Sequence, residues 1–464
     1  MIMLTVMMTS VLIPLVGLAI DGGILFMTKA KLQTAVDAAA LAGGRSLSVG
    51  LDLASQTASC TNTVNAYFAA NFPNGWFGAS NANIAVNIAQ SAFKTRTVTV
   101  TASVQSPLYF LRILGLNNAT VAAGGVTSRR DVNLILTLDR SSSMQSAGVC
   151  GIMANSAIAF VDKFTEGRDR LGLVTFMGAA HLDYASTLNF KTQSPTMEAT
   201  IGTMVCGGNT GTAQALNVAY QQIKAINEAG ALNIIVLFTD GLPNGVVSNA
   251  FPVKTLVDTR YSVSNTSALV STPKSSCTGA TLPLAFLAQW GGDQATGDTA
   301  GIMNSSGVAI TSGSQPTVSS NGCSYNPDVK NMRQDVAYIP TKDFYNNPTT
   351  GYTAVETYPN NPYKGKIRVD TPTSIVIASK NAADNQATTI RSDAVLTPVI
   401  YVIGLGGTDP EPLDDVFMER VANDSRSPIY NNLQQTGKYV FSPNAAQLQD
   451  AFNTIASEIL RISQ

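Results

Sequence analysis

Charged residues are scarce in this 464-residue chain. Asp, Glu, Lys and Arg together make up 13% of the sequence, and 29 basic against 30 acidic residues give a formal net charge of -1. The basic residues form no patch, whereas nucleic acid binding depends on clustered positive charge that neutralises phosphates. The composition therefore argues against nucleic acid as a partner.

Histidine and cysteine are also rare. The only histidine is His181, and no Gly-x-Ser-x-Gly motif accompanies it, so a serine hydrolase site has no support. The glycine cluster at 404–407 lacks the spacing of a dinucleotide-binding loop. No two cysteines have the Cys-x-x-Cys spacing of zinc and redox motifs. We expect a binding protein rather than an enzyme, with a surface or packing role for His181.

The N-terminus is the longest apolar stretch. Residues 2–20 contain no charge, the apolar character continues past Asp21, and about 20 apolar residues suffice to cross a bilayer. Pro14 is tolerated better in a membrane helix than in a soluble one. A cleaved signal peptide is the alternative, but its apolar core is about 7 to 15 residues long and follows a basic start, which is missing. We predict a transmembrane helix that continues through the Ala-rich residues 28–44.

The length predicts at least two units, because domains usually have about 50 to 250 residues, and the sequence pattern divides the chain into three regions. Residues 1–45 form the predicted N-terminal helix. Residues 46–130 are predicted to be a small α+β membrane-proximal module, with a helix at 54–72, strands at 83–89, 97–104 and 119–127, and a short helix at 108–114. Residues 131–464 form a larger α/β domain.

A cation-binding pattern opens the large domain. The apolar run 134–138 predicts a buried strand, and it is followed by Asp139, Ser141 and Ser143. One carboxylate and two hydroxyls at alternate positions of a tight loop can turn their oxygens toward a hard cation such as Mg²⁺. Asp and Ser are also common in ordinary turns and helix N-caps, so the triplet alone leaves both interpretations open.

Two later segments favour the cation site. Thr210 lies in a Gly-rich loop before a predicted amphipathic helix that Gly230 would end, and Asp240 follows the apolar run 234–238. In an open parallel sheet, ligand sites form beyond the carboxyl ends of the strands, so Asp139, Thr210 and Asp240 are expected to meet there.

These motifs resemble the metal-ion-dependent adhesion site of von Willebrand factor type A domains. The resemblance covers residues 131–464 and implies an α/β fold with a doubly wound, mostly parallel sheet. It assigns five metal ligands: Asp139, Ser141, Ser143, Thr210 and Asp240. It also implies Mg²⁺, or Mn²⁺ or Ca²⁺, as cofactor and a protein ligand that offers a carboxylate. We expect the ligands to lie on an exposed rim, so that Asp139→Ala removes cation binding without unfolding the domain.

The first 45 residues resemble TadE/TadG-like proteins of Flp (tight-adherence) pilus assembly, in their apolar helix and in the motif Lys-Leu-Gln-x-Ala-x-Asp-Ala-Ala-Ala-Leu-Ala. The resemblance implies a single-pass inner-membrane protein whose large domain lies in the periplasm or at the cell surface, with other pilus-assembly components as partners. Lys29, Lys31 and Arg45 follow the apolar run and no basic residue precedes it, so the positive-inside rule alone would place the large domain in the cytoplasm.

The type A domain is predicted to contain a large insertion at about 245–385. The predicted strands on either side of this range are much further apart in the sequence than the dozen or so residues that a parallel crossover needs. We expect a folded, β-rich or irregular lobe near the metal face. Its aromatic residues either form a small core of their own or line a contact surface: Tyr325, Tyr338, Phe344, Tyr345, Tyr352, Tyr358 and Tyr363. Ser442 and Pro443 are expected to start a terminal helix, as N-cap and first helical residue.

The five cysteines suggest two disulfides. Cys150 and Cys206 both fall near the predicted metal rim, so we predict that they are bonded. Cys277 and Cys323 share the insertion, which leaves Cys60 unpaired.

We predict a membrane-anchored envelope protein that uses the adhesion site for protein binding in Flp/Tad pilus assembly or surface adhesion. Two alternatives stay open. One is a structural pilin-like scaffold subunit without an external ligand, and the other is a cytoplasmic type A partner of an ATPase.

Overall fold

The computed structural model describes residues 2–47, 53–92, 95–178, 180–252, 284–289, 298–302, 318–320, 323–325, 336–369, 371–408 and 413–462. The chain forms two compact units. The first contains Met1–Asp131 and Leu460–Gln464, and the second contains Val132–Ile459.

The first unit combines two helices with an antiparallel sheet. Its elements are α1 (Ile2–Ser46), α2 (Leu53–Asn71), β1 (Ser80–Ala92), β2 (Thr95–Pro107) and β3 (Asn118–Arg130), with 3-10 helices at Trp76–Gly78 and Leu111–Leu114. The strands pair in the order β1-β2-β3. Alternate residues of β2 point into the core, where Val98 and Val100 meet Val36 of α1 and Val64 of α2. The predicted helix and strands of this region are present, and the predicted short helix is the second 3-10 turn.

Helix α1 runs unbroken through the Ala-rich stretch, as predicted from its helix propensity. Within the part of the chain that the structure describes, no helix combines the length and the apolar character needed to cross a bilayer. The transmembrane helix predicted for the N-terminus is therefore not shown.

The second unit is built on a six-stranded sheet. The strands of the whole unit, including those of smaller sheets, are β4 (Val132–Asp139), β5 (Arg170–Phe176), β6 (Ala180–Thr187), β7 (Leu232–Thr239), β8 (Gly245–Ser248), β9 (Ala285–Gln289), β10 (Asp298–Ile302), β11 (Val318–Ser320), β12 (Cys323–Tyr325), β13 (Val399–Leu405) and β14 (Tyr439–Ser442). The main sheet has the order β14-β13-β7-β4-β5-β6. Only the edge pair β5–β6 is antiparallel, so the predicted mostly parallel sheet is confirmed.

Helices cover both faces of this sheet. They are α3 (Ser142–Ser146), α4 (Cys150–Val161), α5 (Met197–Gly202), α6 (Thr212–Ile226), α7 (Pro372–Arg391), α8 (Asp415–Ala422) and α9 (Leu448–Ile462). Ala219 of α6, Ala383 of α7 and Phe417 of α8 share one apolar core with the sheet. On the opposite face, the Phe452 ring of α9 lies 5.6 Å from Phe160 of α4 and 5.8 Å from Phe238 of β7.

The long connection between β7 and β13 contains small sheets and a core helix. Strands β8, β9 and β10 form one antiparallel sheet, and β11 pairs with β12. Helix α7 begins within the range predicted for the insertion, but its residues Ala382, Ala383 and Ala387 are buried in the main core. It therefore serves as the crossover helix between β7 and β13.

The aromatic residues of this connection serve mainly in packing. Tyr358 and Tyr363 are buried in a small cluster with Ala337, Tyr345 packs near Phe286, and Tyr352 packs against the main core. Phe344 is exposed. Among the described residues, the expectation of local aromatic cores therefore fits better than that of a continuous contact surface.

Candidate metal centre

Asp139 is the last residue of β4, a central strand that is buried along its whole length. Its carboxylate is fully buried. Oδ1 accepts a hydrogen bond from the backbone N–H of Ser141 at 2.9 Å, and Oδ2 accepts one from the Thr239 hydroxyl at 2.6 Å. The expectation that Asp139 lies on an exposed rim is wrong, because this carboxylate also holds the turn after β4 to the end of β7.

Ser141 joins the two acids of the site. It lies in the turn between β4 and α3, and its Oγ is 2.9 Å from Oγ of Ser143. The same Oγ donates to Oδ1 of Asp240 at 3.2 Å. Asp240 directly follows β7, which pairs with β4, so the two acids reach the same edge of the sheet. The residues of this hydrogen-bonded group can all offer side-chain oxygens to a cation: Asp139, Ser141, Ser143 and Asp240.

The two acids disfavour each other's charge. Burial and the neighbouring charge of Asp240 raise the pKa of Asp139 well above its ordinary value, although hydrogen bonds from Thr239 and Ser141 act in the opposite direction. A divalent cation held by these residues would offset this repulsion. The donors are all oxygens, as Mg²⁺ and Ca²⁺ prefer, so the residues present fit a hard divalent cation. Among the described residues, no group of three or more His, Cys, Asp or Glu side chains offers a different metal site.

Thr210 lies on the loop before α6 and is buried. Two hydrogen bonds join this loop to the turn between β4 and α3. Ser142 N–H donates to the Gly208 carbonyl at 2.9 Å, and Gly208 N–H donates to the Ser142 hydroxyl at 2.8 Å. Thr210 itself is held by Asn244, whose side-chain Oδ1 accepts from Thr210 N–H at 2.8 Å and whose own N–H donates to the Thr210 carbonyl at 3.1 Å. All five predicted ligands therefore lie on three adjoining loops at the carboxyl edge of the sheet.

Three supporting residues were not singled out from the sequence: Thr239, Ser142 and Asn244. Thr239 is the last residue of β7, and its hydroxyl donates to the Asp139 carboxylate. Its position directly before Asp240 could have identified it from the sequence as a supporting residue. Ser142 is the residue between two predicted ligands. Asn244 lies four positions after Asp240, and its contact with Thr210 depends on how the loops fold together.

The predicted disulfide between Cys150 and Cys206 is confirmed, with a Cα–Cα distance of 6.1 Å. It joins the start of α4 to the loop that leads to Thr210. Cys60 is a buried free thiol in the core of the first unit, as predicted. Cys277 lies outside the described residues, so its predicted bond to Cys323 stays a prediction.

Two family models match this chain. Residues 134–242 match the von Willebrand factor type A domain, and residues 1–46 match the putative Flp pilus-assembly TadE/G-like family. The second match covers the N-terminal region for which its resemblance was stated. The first spans only part of residues 131–464 but contains all five predicted ligands. The fold is a type A-like α/β fold with a mixed, mostly parallel sheet. Together the matches support a pilus-related role in adhesion or assembly and an association with the cell envelope.

Individual proteins show more distant similarity. Calcium-activated chloride channel regulator 3A-1 of Mus musculus is 31% identical over 122 residues, which are 26% of this chain and 13% of that protein. Among solved structures, the vWF domain of the type V pili tip protein Mfa5 from Porphyromonas gingivalis is 18% identical, with 72% of this chain and 97% of that chain covered and a TM-score of 0.38. The PilB minor pilin from Streptococcus sanguinis is 14% identical, with 83% of this chain and 79% of that chain covered and a TM-score of 0.36.

Proposed function

We propose that this protein binds a partner protein through a divalent-cation site, in pilus assembly or in surface adhesion at the cell envelope. The observation that carries the proposal is the position of Ser141 between two buried acids. Its backbone N–H bonds to Asp139 and its hydroxyl bonds to Asp240. A pair of buried carboxylates with bridging hydroxyls is costly unless a positive charge offsets it.

The chain's own residues would supply five ligands to the cation: the hydroxyls of Ser141, Ser143 and Thr210 and the carboxylates of Asp139 and Asp240. When bound, the cation supplies positive charge that attracts a carboxylate of the partner. We propose Mg²⁺, with Mn²⁺ and Ca²⁺ as alternatives. Thr239 and Asn244 fix two of the ligands, which lowers the ordering cost of binding. No catalytic role is proposed.

One further feature supports a location outside the cytoplasm. The Cys150–Cys206 disulfide is typical of an oxidising compartment. The uncharged residues 2–20 make up the first part of α1, and we propose that this part holds the protein at the inner membrane. The second unit would then face the periplasm or the cell surface.

Capture of partners from solubilised envelopes tests the cation-dependent function. Wild type is expected to retain envelope proteins in Mg²⁺ and to release them in EDTA, whereas Asp240→Asn should retain none in either buffer. If capture is equal with EDTA and with the variant, the cation site is not the binding site. A structural scaffold subunit would then be favoured, provided that pilus assembly still requires the protein.

Topology is tested separately. A reporter active only outside the cytoplasm, fused after Gln464, should give a signal. A signal from a cytoplasm-specific reporter at the same position would instead favour the partner of a cytoplasmic ATPase.

A further inference from the structure

The loop between β2 and β3 presents large apolar side chains to solvent. Its residues 108–117 contain the 3-10 helix Leu111–Leu114 and no acidic residue. The side chain of Ile113 is 81% exposed, that of Leu114 is 75% exposed and that of Leu116 is 54% exposed. Single exposed apolar residues are ordinary, but adjacent ones on a short loop indicate a contact surface.

Asp21 of α1 fixes this loop in place. Its carboxylate is fully buried and accepts hydrogen bonds from three successive backbone N–H groups, those of Tyr109 at 2.9 Å, Phe110 at 3.0 Å and Leu111 at 2.8 Å. The only acid in the first half of α1 is therefore used to hold the loop. Three backbone N–H groups of the loop are therefore satisfied internally, and Ile113, Leu114 and Leu116 face outward together with Arg112.

Gly17 allows the loop to approach the helix closely. A Cβ at this position would lie 2.7 Å from Cβ of Phe110, which is too close for any side chain. The loop is thus packed against α1 at residues 17–21. This is where the uncharged sequence of α1 ends and the segment with Lys29, Lys31 and Asp37 begins.

Helix α1 also exposes large apolar side chains within one turn of Gly17. Leu15 is 61% exposed and Leu18 is 55% exposed, on the faces of the helix that the loop leaves uncovered. Tyr109 and Phe110 are themselves partly exposed beside Arg112. Aromatic rings and a basic residue around aliphatic side chains are the composition found at the interface between lipid headgroups and acyl chains.

We propose that the loop 108–117, which we name the apolar loop, inserts into the surface of an anionic lipid bilayer. It would lie beside the first part of α1, and Ile113, Leu114 and Leu116 would enter the acyl region while Arg112 contacts the headgroups. The exposed Arg112 forms no ion pair with any residue that the structure describes, so its charge is available to anionic lipid. This proposal extends the membrane contact of α1 and does not depend on the cation site.

Site-specific photocrosslinking in the full chain tests the proposal. The photoreactive residue p-benzoylphenylalanine replaces Ile113, and the protein is reconstituted into vesicles of phosphatidylethanolamine and radiolabelled phosphatidylglycerol. The matched control carries the same residue at Val126, a β3 position of the same unit that is 66% exposed. A third probe at Leu15 reports the contact of α1 independently.

The Ile113 probe is expected to give several-fold more phospholipid adduct than the Val126 probe. Arg112→Glu should lower this yield in the anionic vesicles. It should leave the yield unchanged in purely zwitterionic vesicles, in which phosphatidylethanolamine carries the radiolabel. Equal lipid adducts at Ile113 and Val126, with strong adducts at Leu15, would overturn the proposal while leaving the membrane contact of α1 intact. Protein adducts at Ile113 in place of lipid would also overturn it, because they identify a protein as the occupant. If neither the Leu15 probe nor the Ile113 probe forms phospholipid adducts, the membrane contact as a whole is rejected.

Discussion

The hydroxyl oxygen of Ser141 lies 3.2 Å from Oδ1 of Asp240, across the gap between the turn that follows β4 and the end of β7. The two residues are 99 positions apart in the sequence. Their contact exists because β4 and β7 are parallel neighbours in register, so that their carboxyl ends meet at one edge of the sheet. The same geometry brings two buried carboxylates together, and the predictions about cation binding follow from it.

Asp240→Asn should abolish cation binding without weakening the fold. The amide keeps an oxygen for the Ser141 hydroxyl and removes the charge that opposes Asp139. With Mg²⁺ at about 100 times its Kd, wild type should gain about 2.7 kcal/mol in its free energy of unfolding, and the variant should gain none. In EDTA the variant should unfold at the same temperature as wild type or higher. Thermal melts with and without Mg²⁺ measure both effects, and a cation-dependent shift in the variant would contradict the ligand assignment.

Asp139→Ala is expected to behave differently from Asp240→Asn. Its carboxylate accepts from the Ser141 N–H and from the Thr239 hydroxyl, and both donors are left without this acceptor in the variant. The Thr239 hydroxyl can still donate to the Gly241 carbonyl at 3.2 Å, but leaving the buried Ser141 N–H unsatisfied costs about 1–3 kcal/mol. The variant should therefore lose stability even in EDTA, which chemical denaturation will show. Equal stability of Asp139→Ala and wild type in EDTA would restore the exposed-rim interpretation of this residue.

The disulfide should contribute to stability and to cation affinity. Cys150 and Cys206 are 56 positions apart, and closing a loop of this size constrains the unfolded chain by about 4 kcal/mol in the chain-entropy model. The double variant Cys150→Ser, Cys206→Ser should lose about this amount in urea denaturation. It should also bind Mn²⁺ more weakly, because the bond anchors the loop that leads to Thr210. Reductant should reproduce both losses in wild type. Any loss that it still causes in the variant would come from the predicted Cys277–Cys323 bond.

The central sheet and the cation loops could be predicted because their signals are local. The apolar runs of β4 and β7 are buried along their whole length, and such strands appear in a sequence as continuous apolar segments. The face of α6 was predictable for a similar reason, since Leu216, Tyr220 and Ile223 recur at helical spacing and are buried.

Element ends were less predictable. Helix α6 ends at Ile226, before the predicted stop at Gly230, because Asn227 adopts a left-handed conformation with φ 53° and its N–H bonds to the Ile223 carbonyl. At the C-terminus, Asn444 caps a 3-10 turn through Gln447 N–H, and α9 starts only at Leu448. The end of α6 depends on the backbone conformation of Asn227, and the start of α9 depends on which polar side chain caps the preceding turn. Composition alone decides neither.

The apolar loop and the Asn244 contact were not predictable from the sequence. Asp21 lies 88 residues before Tyr109, and Asn244 lies 34 residues after Thr210. Each polar side chain finds its partner only after strands and helices have packed. An acid inside an apolar run indicates that some partner exists, but not where it lies.

The pH dependence of stability should include a contribution from Asp343. Burial raises its pKa to about 6 from the ordinary 3.8, despite hydrogen bonds from Asn347 and Tyr345. Between pH 4 and 6 the folded state therefore holds a proton that the unfolded state has lost. The free energy of unfolding from this group is largest below about pH 4 and falls, by about 3 kcal/mol at most, as pH rises through 6. Asp343→Asn should remove this fall, as urea denaturation at a series of pH values will show.

Asp393 provides the control of opposite sign for this titration. Burial alone would raise its pKa, but the backbone N–H of Leu396 and the hydroxyl of Tyr220 lower it below the ordinary value. Its contribution to stability is therefore present above about pH 4 and is lost as pH falls further. Asp393→Asn should cost stability at pH 7 and cost progressively less below pH 4. For each variant, the quantity compared is its difference from wild type in the free energy of unfolding. If this difference changed with pH in the same direction for Asp343→Asn and Asp393→Asn, the raised pKa of Asp343 would be contradicted.

Asn244 should control cation affinity although it is not a proposed ligand. Its side chain accepts from Thr210 N–H and its backbone N–H donates to the Thr210 carbonyl, so it fixes the loop that presents the Thr210 hydroxyl. Asn244→Ala removes only the first of these bonds and leaves the Thr210 N–H without that acceptor. We expect a loss of about 1–3 kcal/mol in stability and a Kd for Mn²⁺ raised about tenfold, because the loop must be ordered when the cation binds.

The matched control for Asn244 is Asn381→Ala. Asn381 is a fully buried residue of α7 whose side-chain amide bonds to the Thr349 and Thr353 carbonyls, so its loss should destabilise the domain to a similar degree. Because these partners lie outside the three cation loops, the Kd for Mn²⁺ should stay at the wild-type value. Titration calorimetry well below the melting temperature separates the two effects. Equal Mn²⁺ affinities for Asn244→Ala and Asn381→Ala would show that Asn244 stabilises the fold without positioning Thr210.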